Sequence, residues 1–332
     1  MFYNTPLINP ENILKAGKAN FERIVLTVFQ YQYNNNPIYR QYCEALHTDI
    51  QAVNSLPQIP FLPVSFFKTH KVVTGPADTD TSLVFESSGT TGTVNSRHFI
   101  ADAAIYEKSL LQGFEQYYGP AQQYAILALL PSYLQRKNAS LVYMARTLME
   151  KSAHPENGFY IDEWQQLHET VKRCEQAKQK VLLLGVTFAL LDFAAAYPMH
   201  LEHTIIMETG GMKGRREELT RSEVHAFLKK QFGVVQVHSE YGMTELLSQA
   251  YSKADGIFSC TNTMRVLVHD INDPLEVKET GSGALNIIDL ANLYSCSFVA
   301  TEDIGNVFAD GAFEVLGRLD NSALRGCSLM AV

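Results

Sequence analysis

The stretch VLLLGVTFALLDFAAAYPMHLEHTIIM, residues 181–207, determines the fold that we predict for this chain. It opens with a continuous apolar run, Val181–Leu184, as expected of a strand that is buried on both faces. The segment Thr187–Tyr197 then has the length and composition of a core helix, and Thr204–Met207 forms a second short strand. A strand, a helix and a strand at such short spacing indicate a crossover connection and a mainly parallel sheet.

The same alternation continues on both sides of this stretch. Apolar spacing predicts further helices over 11–33, 38–53, 102–118, 140–149, 163–179 and 216–232. Strands are predicted over 124–130 and 234–238, and prolines force an extended connector over 59–67.

Beyond Ser252 the pattern changes to short apolar runs separated by Asp, Asn and Gly turns. These runs are 265–268, 284–288, 296–299, 306–308 and 313–316. We therefore predict an α/β fold with parallel-rich sheets flanked by helices over residues 1–250. A β-rich subdomain is predicted over residues 251–332.

Composition limits the possible functions. With 332 residues, of which 46% are hydrophobic and 19% charged, the chain has the composition of a globular protein of about two domains. A net charge of −8 argues against non-specific binding to nucleic acid. The N-terminus does not resemble a signal peptide, and the longest apolar segment, Val181–Tyr197, is interrupted by Gly185 and Asp192. Five widely spaced cysteines without a Cys-x-x-Cys pair suit a reducing compartment, so we expect a cytoplasmic protein without a membrane span.

Ligands of parallel sheets bind beyond the carboxyl ends of strands, so the loops that follow strands are the candidate sites. The first loop is Ser87-Ser88-Gly89-Thr90-Thr91-Gly92, directly after an apolar run. Its glycines permit close approach of a ligand, and its hydroxyl and backbone N–H groups are suited to phosphate. The alternative is a polar hairpin turn, where the same residue types cluster.

Two further loops follow predicted strands. Glu240-Tyr241-Gly242-Met243-Thr244-Glu245 combines a phosphate-binding hydroxyl, an aromatic face for a base and a carboxylate for Mg²⁺. The alternative is a helix N-terminus, where acidic residues complement the dipole. Glu208-Thr209-Gly210-Gly211-Met212-Lys213-Gly214-Arg215 is either a phosphate-binding lip or a glycine-rich turn with solvated basic residues.

The order of these motifs resembles that of adenylate-forming enzymes, which activate carboxylic acids with ATP and release pyrophosphate. The series is Ser87–Gly92, then Tyr241–Glu245, then Thr301-Glu302-Asp303, then Gly317-Arg318. Within this superfamily the chain resembles the LuxE-type acyl-protein synthetases of the bacterial luciferase fatty-acid reductase system. The motifs that carry the closer resemblance are Pro60-Phe61-Leu62-Pro63, Pro131-Ser132-Tyr133-Leu134, Gly210-Gly211-Met212-Lys213 and Arg325-Gly326-Cys327-Ser328-Leu329.

The resemblance implies the fold of the large N-terminal domain of adenylate-forming enzymes, with ATP and Mg²⁺ as cofactors. It implies that Ser87, Ser88, Gly89, Thr90, Thr91 and Gly92 enclose the ATP phosphates, and that Gly210 and Gly211 line the adenine and acyl pocket. It further implies that Tyr241 and Gly242 contact adenine, Thr244 the α-phosphate, Glu245 the metal, and Asp303 and Arg318 the ribose. For Asp303 and Arg318, the alternative is an exposed ion pair in a turn.

The resemblance also gives Cys327 a role, because acyl-protein synthetases carry the acyl group as a thioester on a cysteine near the C-terminus. Arg325 is close enough in sequence to lower the pKa of the thiol. The alternative is that Cys327 is a small hydrophobic residue in an apolar tail. An acyl reductase or an acyl carrier protein is the partner that the resemblance implies, and a carboxylic acid, by the closer family a fatty acid, is the substrate.

Two departures from the family pattern bear on activity. Val94-Asn95-Ser96-Arg97-His98 stands where many relatives have Pro-Lys. We also expect that the small C-terminal domain, which carries a catalytic lysine in typical members, is absent. Lys213 or Arg215 is then the candidate replacement. The alternative functions are ligation of the acid to coenzyme A, which needs no Cys327, and a scaffold that binds nucleotide or acyl groups without turnover.

Overall fold

The computed structural model of the chain describes residues 8–75, 81, 83–87, 94–131, 138–210 and 219–319. The helices are α1 (Pro10–Leu14), α2 (Phe21–Asn35), α3 (Pro37–Ala45), α4 (Phe66–Thr69), α5 (Ala103–Tyr118), α6 (Ser140–Ser152), α7 (Trp164–Gln176), α8 (Thr187–Ala196) and α9 (Arg221–Phe232). The strands are β1 (Leu62–Pro63), β2 (Leu83–Glu86), β3 (Arg97–Ile100), β4 (Tyr124–Leu129), β5 (Gly158–Tyr160), β6 (Lys180–Val186), β7 (Thr204–Thr209), β8 (His238–Tyr241), β9 (Ala250–Ser252), β10 (Ile257–Cys260), β11 (Met264–His269), β12 (Val277–Lys278), β13 (Gly281–Asp289), β14 (Phe298–Val307) and β15 (Phe313–Arg318). Within these ranges no helix is long and apolar enough to cross a membrane.

The described residues form two compact units. Unit 1 draws on Met1–Leu83, Ser96–Asp102 and Asn262–Val332, and unit 2 on Val84–Asn95 and Ala103–Thr261. This grouping differs from a division at residue 250, because the N-terminal helices α2 and α3 pack on the strands of the C-terminal part. Rings of Phe29, Tyr39 and Phe298, from α2, α3 and β14, meet at centroid distances of 5.8–6.2 Å.

Unit 2 contains the predicted parallel sheet. Its strand order is β5-β4-β6-β7-β8, all parallel, followed by antiparallel β9 and β10. All six residues of β4 and six of the seven residues of β6 are buried, because the strands lie between helices on both faces of the sheet. The predicted parallel α/β core is therefore confirmed.

Two predicted boundaries in unit 2 are wrong. Helix α9 begins at Arg221 rather than Arg216, because Thr220 and Glu223 form a capping box that starts the helix there. Strand β8 begins at His238 rather than Val234, so Glu240 and Tyr241 are strand residues and not part of the following loop.

Unit 1 contains the predicted β-rich part of the chain. Strands β12-β11-β13-β14-β15 are antiparallel neighbours in that order, and β1 pairs in parallel with β14. The separate strands predicted over 296–299 and 306–308 are wrong, since both runs contribute to the single long strand β14. Thr301, Glu302 and Asp303 consequently lie in the middle of a strand rather than in a turn.

Two buried amide side chains connect α2 and α3 to the segment that joins β13 to β14. Gln32 is fully buried, and its Nε2 donates to the carbonyl oxygens of Asn292 and Leu293, each at 2.9 Å. Its Oε1 accepts the backbone N–H of Ser297 at 2.9 Å. Asn36 Nδ2 donates a hydrogen bond to the carbonyl oxygen of Ser295 at 2.9 Å. These bonds satisfy backbone groups of an irregular segment that has no sheet partner.

We expect Gln32→Leu to lower the free energy of unfolding by about 2–4 kcal/mol, because several buried backbone groups lose their partners. Urea denaturation measures this loss. The matched control is Gln30→Leu on the exposed side of the same helix, where a change below about 0.5 kcal/mol is expected. Equal effects of the two substitutions would show that the buried amide does not stabilise the 292–297 segment.

Candidate functional site

The carboxyl ends of β7 and β8 lie side by side in unit 2. Their parallel register pairs Glu208 with Ser239 and Thr209 with Glu240. Gly210 directly follows β7, and Tyr241 is the last residue of β8. Of the residues that the sequence predicted for the site, the structure thus places Gly210 and Tyr241 at neighbouring strand ends, and Gly242, Thr244 and Glu245 in the segment that follows β8.

Glu208 is a buried carboxylate near the end of β7 that contacts three neighbouring side chains. Its Oε1 accepts from Arg221 Nε at 3.3 Å and lies 3.6 Å from His225 Nε2. Its Oε2 accepts from Thr187 Oγ1 at 3.0 Å, and the Ser239 hydroxyl lies 3.3 Å from His225 Nε2. Burial, the largest single effect, raises the pKa of Glu208, but the bonds from His225 and Ser239 and the charge of Arg221 together lower it below its usual value. The carboxylate is therefore ionised and fully partnered.

Thr187, the first residue of α8, fixes the beginning of the glycine-rich loop. Its hydroxyl also lies 2.7 Å from the carbonyl oxygen of Gly210, so its hydrogen is shared between that oxygen and Glu208. Gly210 itself has φ of 69°, in the left-handed region that glycine adopts without strain. The chain therefore turns at Gly210 in a defined direction.

Arg221 connects Glu208 to the aromatic ring that the sequence assigns to the base. Its guanidinium lies 5.1 Å from the ring centroid of Phe258, and that ring meets Tyr241 edge-to-face at 5.8 Å. Gly256, at φ of 71°, leaves room for the arginine, since a Cβ there would lie 2.7 Å from Arg221 Cδ. Arg221 therefore packs on Phe258, and Phe258 in turn restricts the position of the Tyr241 ring.

Glu240 lies on the opposite face of β8 from Ser239 and Tyr241. Its Oε2 accepts from Thr209 Oγ1 at 2.5 Å. Burial raises the pKa of Glu240 to about 7, the Thr209 bond opposes this shift, and the negative charge of Glu208 adds to it. Two adjacent strands thus carry one ionised carboxyl group and one that titrates near neutral pH.

Asp303 and Arg318, the predicted ribose contacts, lie in unit 1. They face each other in the register of β14 and β15, and Arg318 Nε lies 3.8 Å from Asp303 Oδ1. Arg318 also approaches Glu302 Oε2 at 3.4 Å. The Asp303 side chain is 15% exposed and that of Arg318 is 64% exposed, so the ion pair that was the alternative for these residues is present, on two paired strands rather than in a turn.

Several predicted site residues cannot be placed. Ser87 follows β2 directly, as predicted. The remaining residues lie outside the described part of the chain, and their roles stay predictions: Ser88, Gly89, Thr90, Thr91, Gly92, Gly211, Lys213 and Cys327.

The sequence reasoning missed Arg221 and His225, which contact Glu208 next to the site. Arg221 and His225 are four residues apart on α9, a spacing that places both on one helix face toward Glu208. That spacing was visible in the sequence, but its partner, Glu208, precedes Arg221 by 13 residues and is selected by the fold.

We expect Arg221→Gln to raise the KM for ATP about tenfold, equivalent to about 1.4 kcal/mol, because Tyr241 loses its support through Phe258. Steady-state kinetics at varied ATP measures the change. Lys229→Gln on the same helix is the control, since the ion pair that Lys229 forms with the exposed Asp255, at 3.8 Å, is weak. An Arg221→Gln enzyme with an unchanged KM for ATP would separate this residue from the nucleotide.

The fold is that of adenylate-forming ligases. 2-Hydroxyisobutyryl-CoA ligase in its postadenylation state superimposes with a TM-score of 0.63 at 12% identity, covering 96% of this chain and 73% of that chain. ATP-bound MatB from Rhodopseudomonas palustris superimposes with a TM-score of 0.52 at 14% identity, covering 73% of this chain. The match spans about half of MatB, 49% of its length. At these identities the likeness establishes the fold alone.

Sequence comparison defines the family. Residues 14–331 match the acyl-protein synthetase family LuxE, and the chain belongs to this family. The long-chain-fatty-acid–luciferin-component ligase of Aliivibrio fischeri is 24% identical over 341 residues, covering 93% of this chain and 86% of that protein. Membership makes the protein an adenylate-forming ligase.

Proposed function

We propose that the protein activates a fatty acid with ATP and transfers the acyl group to Cys327 as a thioester. The observation that supports the proposal is the pairing of β7 with β8, which places Gly210 and Tyr241 at neighbouring strand ends, with Thr244 and Glu245 in the segment that follows β8. Ligands of parallel sheets bind at such strand ends. Family membership and the named substrate of the Aliivibrio fischeri relative support a long-chain acid.

The proposed reaction has two steps. A carboxylate oxygen of the acid attacks the α-phosphorus of ATP, the bond between the α- and β-phosphates breaks, and pyrophosphate leaves. The Cys327 thiolate then attacks the carbonyl carbon of the acyl-adenylate, the bond from that carbon to the AMP oxygen breaks, and AMP leaves. The thiol proton passes to solvent or to a basic group.

The proposal assigns a role to each residue of this edge. Tyr241 stacks on the adenine, held by the ring of Phe258 at 5.8 Å. The Thr244 hydroxyl donates to an α-phosphate oxygen, where negative charge develops during the first step. Gly210, whose carbonyl is fixed by Thr187, allows the nucleotide to approach the backbone.

The remaining roles follow from the family pattern and stay proposals. The backbone of Ser87–Gly92 encloses the phosphates, and Lys213 offsets their negative charge. Asp303 accepts hydrogen bonds from ribose hydroxyls, and Arg318 orients Asp303 across the strand pair.

The oxygen ligands of the site fit Mg²⁺. Glu245 supplies a carboxylate and Thr244 a hydroxyl next to it in sequence, and Mg²⁺ is bound through one or two carboxylates together with substrate phosphates. When bound, the ion would neutralise phosphate charge.

Exchange of labelled pyrophosphate into ATP tests the first step, with acids of varied chain length supplied one at a time. The proposal expects exchange that depends on the acid and on Mg²⁺ and is strongest with long-chain fatty acids. ATP binding in calorimetry without exchange by any acid would instead assign the chain to a non-catalytic scaffold. Formation of an acyl-coenzyme A when coenzyme A is added would move the second step from Cys327 to a coenzyme A ligase reaction.

A further inference from the structure

Glu240 occupies the centre of a row of side chains across three strands of unit 2. The register places Thr209 of β7 on one side of Glu240 and Tyr251 of β9 on the other. Thr209 Oγ1 donates to Glu240 Oε2, as described above. The carboxyl group therefore lies at the base of the segment 241–248, called here the loop 241–248, which begins with Tyr241, the last residue of β8, and contains Thr244 and Glu245.

The second carboxyl oxygen of Glu240 lies against Gly242, the residue that follows Tyr241. A Cβ on Gly242 would lie 2.6 Å from Glu240 Oε1 and 3.8 Å from Gln249 Cγ, so both side chains pack against this glycine. Gln249 is buried, and within the described part of the chain its Oε1 accepts no hydrogen bond. A protonated Glu240 carries one donor that this acceptor lacks, whereas an ionised Glu240 carries none.

The charges around Glu240 favour its neutral form. Among the described residues no basic side chain forms an ion pair with it, and Arg221 and His225 pair with Glu208 instead. Tyr118 of α5 and Tyr251 of β9 also face the carboxyl, and burial raises the pKa of both, so their hydroxyls stay neutral. Behind Tyr118 lie His238, whose pKa burial and nearby positive charge lower to about 4, and the exposed Lys253.

We propose that Glu240 is a positioning residue whose neutral carboxyl group holds the loop 241–248 closed at its base, accepting from Thr209 and donating to Gln249. Ionisation removes the donor and places a negative charge without a counter-ion between buried strands, which opens the base of the loop. The inference rests on the proposed function only for its kinetic readout. Loss of the bond from Glu240 to Gln249 releases Tyr241, Thr244 and Glu245 together.

Pyrophosphate exchange that depends on an added fatty acid tests the proposal. It is measured from about pH 6 to about pH 8.5 in the wild type, Glu240→Gln and Glu240→Leu. Because the pKa of Glu240 is about 7, the wild-type rate is expected to fall about tenfold between about pH 6 and about pH 8. Glu240→Gln keeps a neutral side chain with one acceptor and donors, so it should match the wild type at low pH and lose most of this fall. Glu240→Leu, which has neither group, should be slow at every pH.

The melting temperature gives a readout that does not depend on activity. The folded-state pKa of Glu240 is raised, so the folded protein holds a proton that the unfolded chain releases between about pH 4.5 and about pH 7. The stability of the wild type therefore falls as the pH rises through this window. The advantage of Glu240→Gln over the wild type should grow from about pH 5 to about pH 8.

Glu156→Gln is the matched control, because Glu156 is a surface carboxylate of the same unit that pairs with Arg173. It should follow the wild type in both measurements. The proposal is overturned if Glu240→Gln and the wild type share one pH profile of melting, or if Glu240→Gln is as slow as Glu240→Leu at pH 6. Absence of exchange in the wild type would contradict the proposed function. The melting comparison would then remain as the test of the positioning role of Glu240.

Discussion

Replacement of Glu245 by glutamine is expected to lower acid-dependent pyrophosphate exchange by about 100-fold or more. The amide has nearly the shape of the carboxylate but no charge, and a buried electrostatic group that acts on developing phosphate charge contributes about 10²–10³ in rate. Glu245 is only 6% exposed, so water replaces its charge poorly. Exchange kinetics at varied Mg²⁺ measure the effect, and high Mg²⁺ should recover part of the rate.

The comparison for Glu245→Gln is again Glu156→Gln, which removes one carboxylate from the surface of the same unit. That variant should exchange at the wild-type rate. A Glu245→Gln enzyme within about threefold of the wild type, at saturating and at low Mg²⁺, would remove Glu245 from the metal site.

Cys327→Ser is expected to abolish covalent labelling by a radioactive fatty acid while leaving pyrophosphate exchange at the wild-type rate. A serine hydroxyl is a far weaker nucleophile than a thiolate, and the first step does not involve this residue. Three of the other cysteines are poor acceptors. Burial raises the pKa of the Cys43 thiol to about 12 and also raises that of Cys174 and Cys296.

Cys260→Ser is the matched control for labelling, because Cys260 is a partly exposed cysteine of the described chain. It should keep full labelling, and hydroxylamine should release the label from both the wild type and this variant, as expected of a thioester. Labelling that persists in Cys327→Ser would place the acyl group on another residue. Loss of exchange in the same variant would tie Cys327 to the first step.

The sequence predicted those parts of the fold that depend on local periodicity. The apolar runs of β4 and β6 and the helices α5 and α8 were found within a few residues, because each element buries a continuous or periodic apolar surface. Strand β14 was divided wrongly into two runs, because Thr301, Glu302 and Asp303 interrupt its apolar pattern. These three residues lie at a register irregularity between β13 and β14, and only Asp303 among them pairs with β15, opposite Arg318.

The site was predicted only where a motif is continuous in sequence. The residues of 240–245 are adjacent in the chain, so their chemistry was visible without a structure. The partners of Glu208 were not, because Arg221, His225 and Ser239 meet it only through the β7–β8 register and the packing of α9. The contact between Thr209 and Glu240 likewise depends on a pairing of strands that no local pattern specifies.

The transfer of oxygen from the acid to AMP tests the central claim most directly. The protein is incubated with ATP, Mg²⁺ and a long-chain fatty acid whose carboxyl group carries oxygen-18, and AMP is analysed by mass spectrometry. If the carboxylate attacks the α-phosphorus, every AMP released carries one labelled oxygen, and the other product is pyrophosphate. Unlabelled AMP, or ADP with labelled phosphate, would contradict activation through an acyl-adenylate.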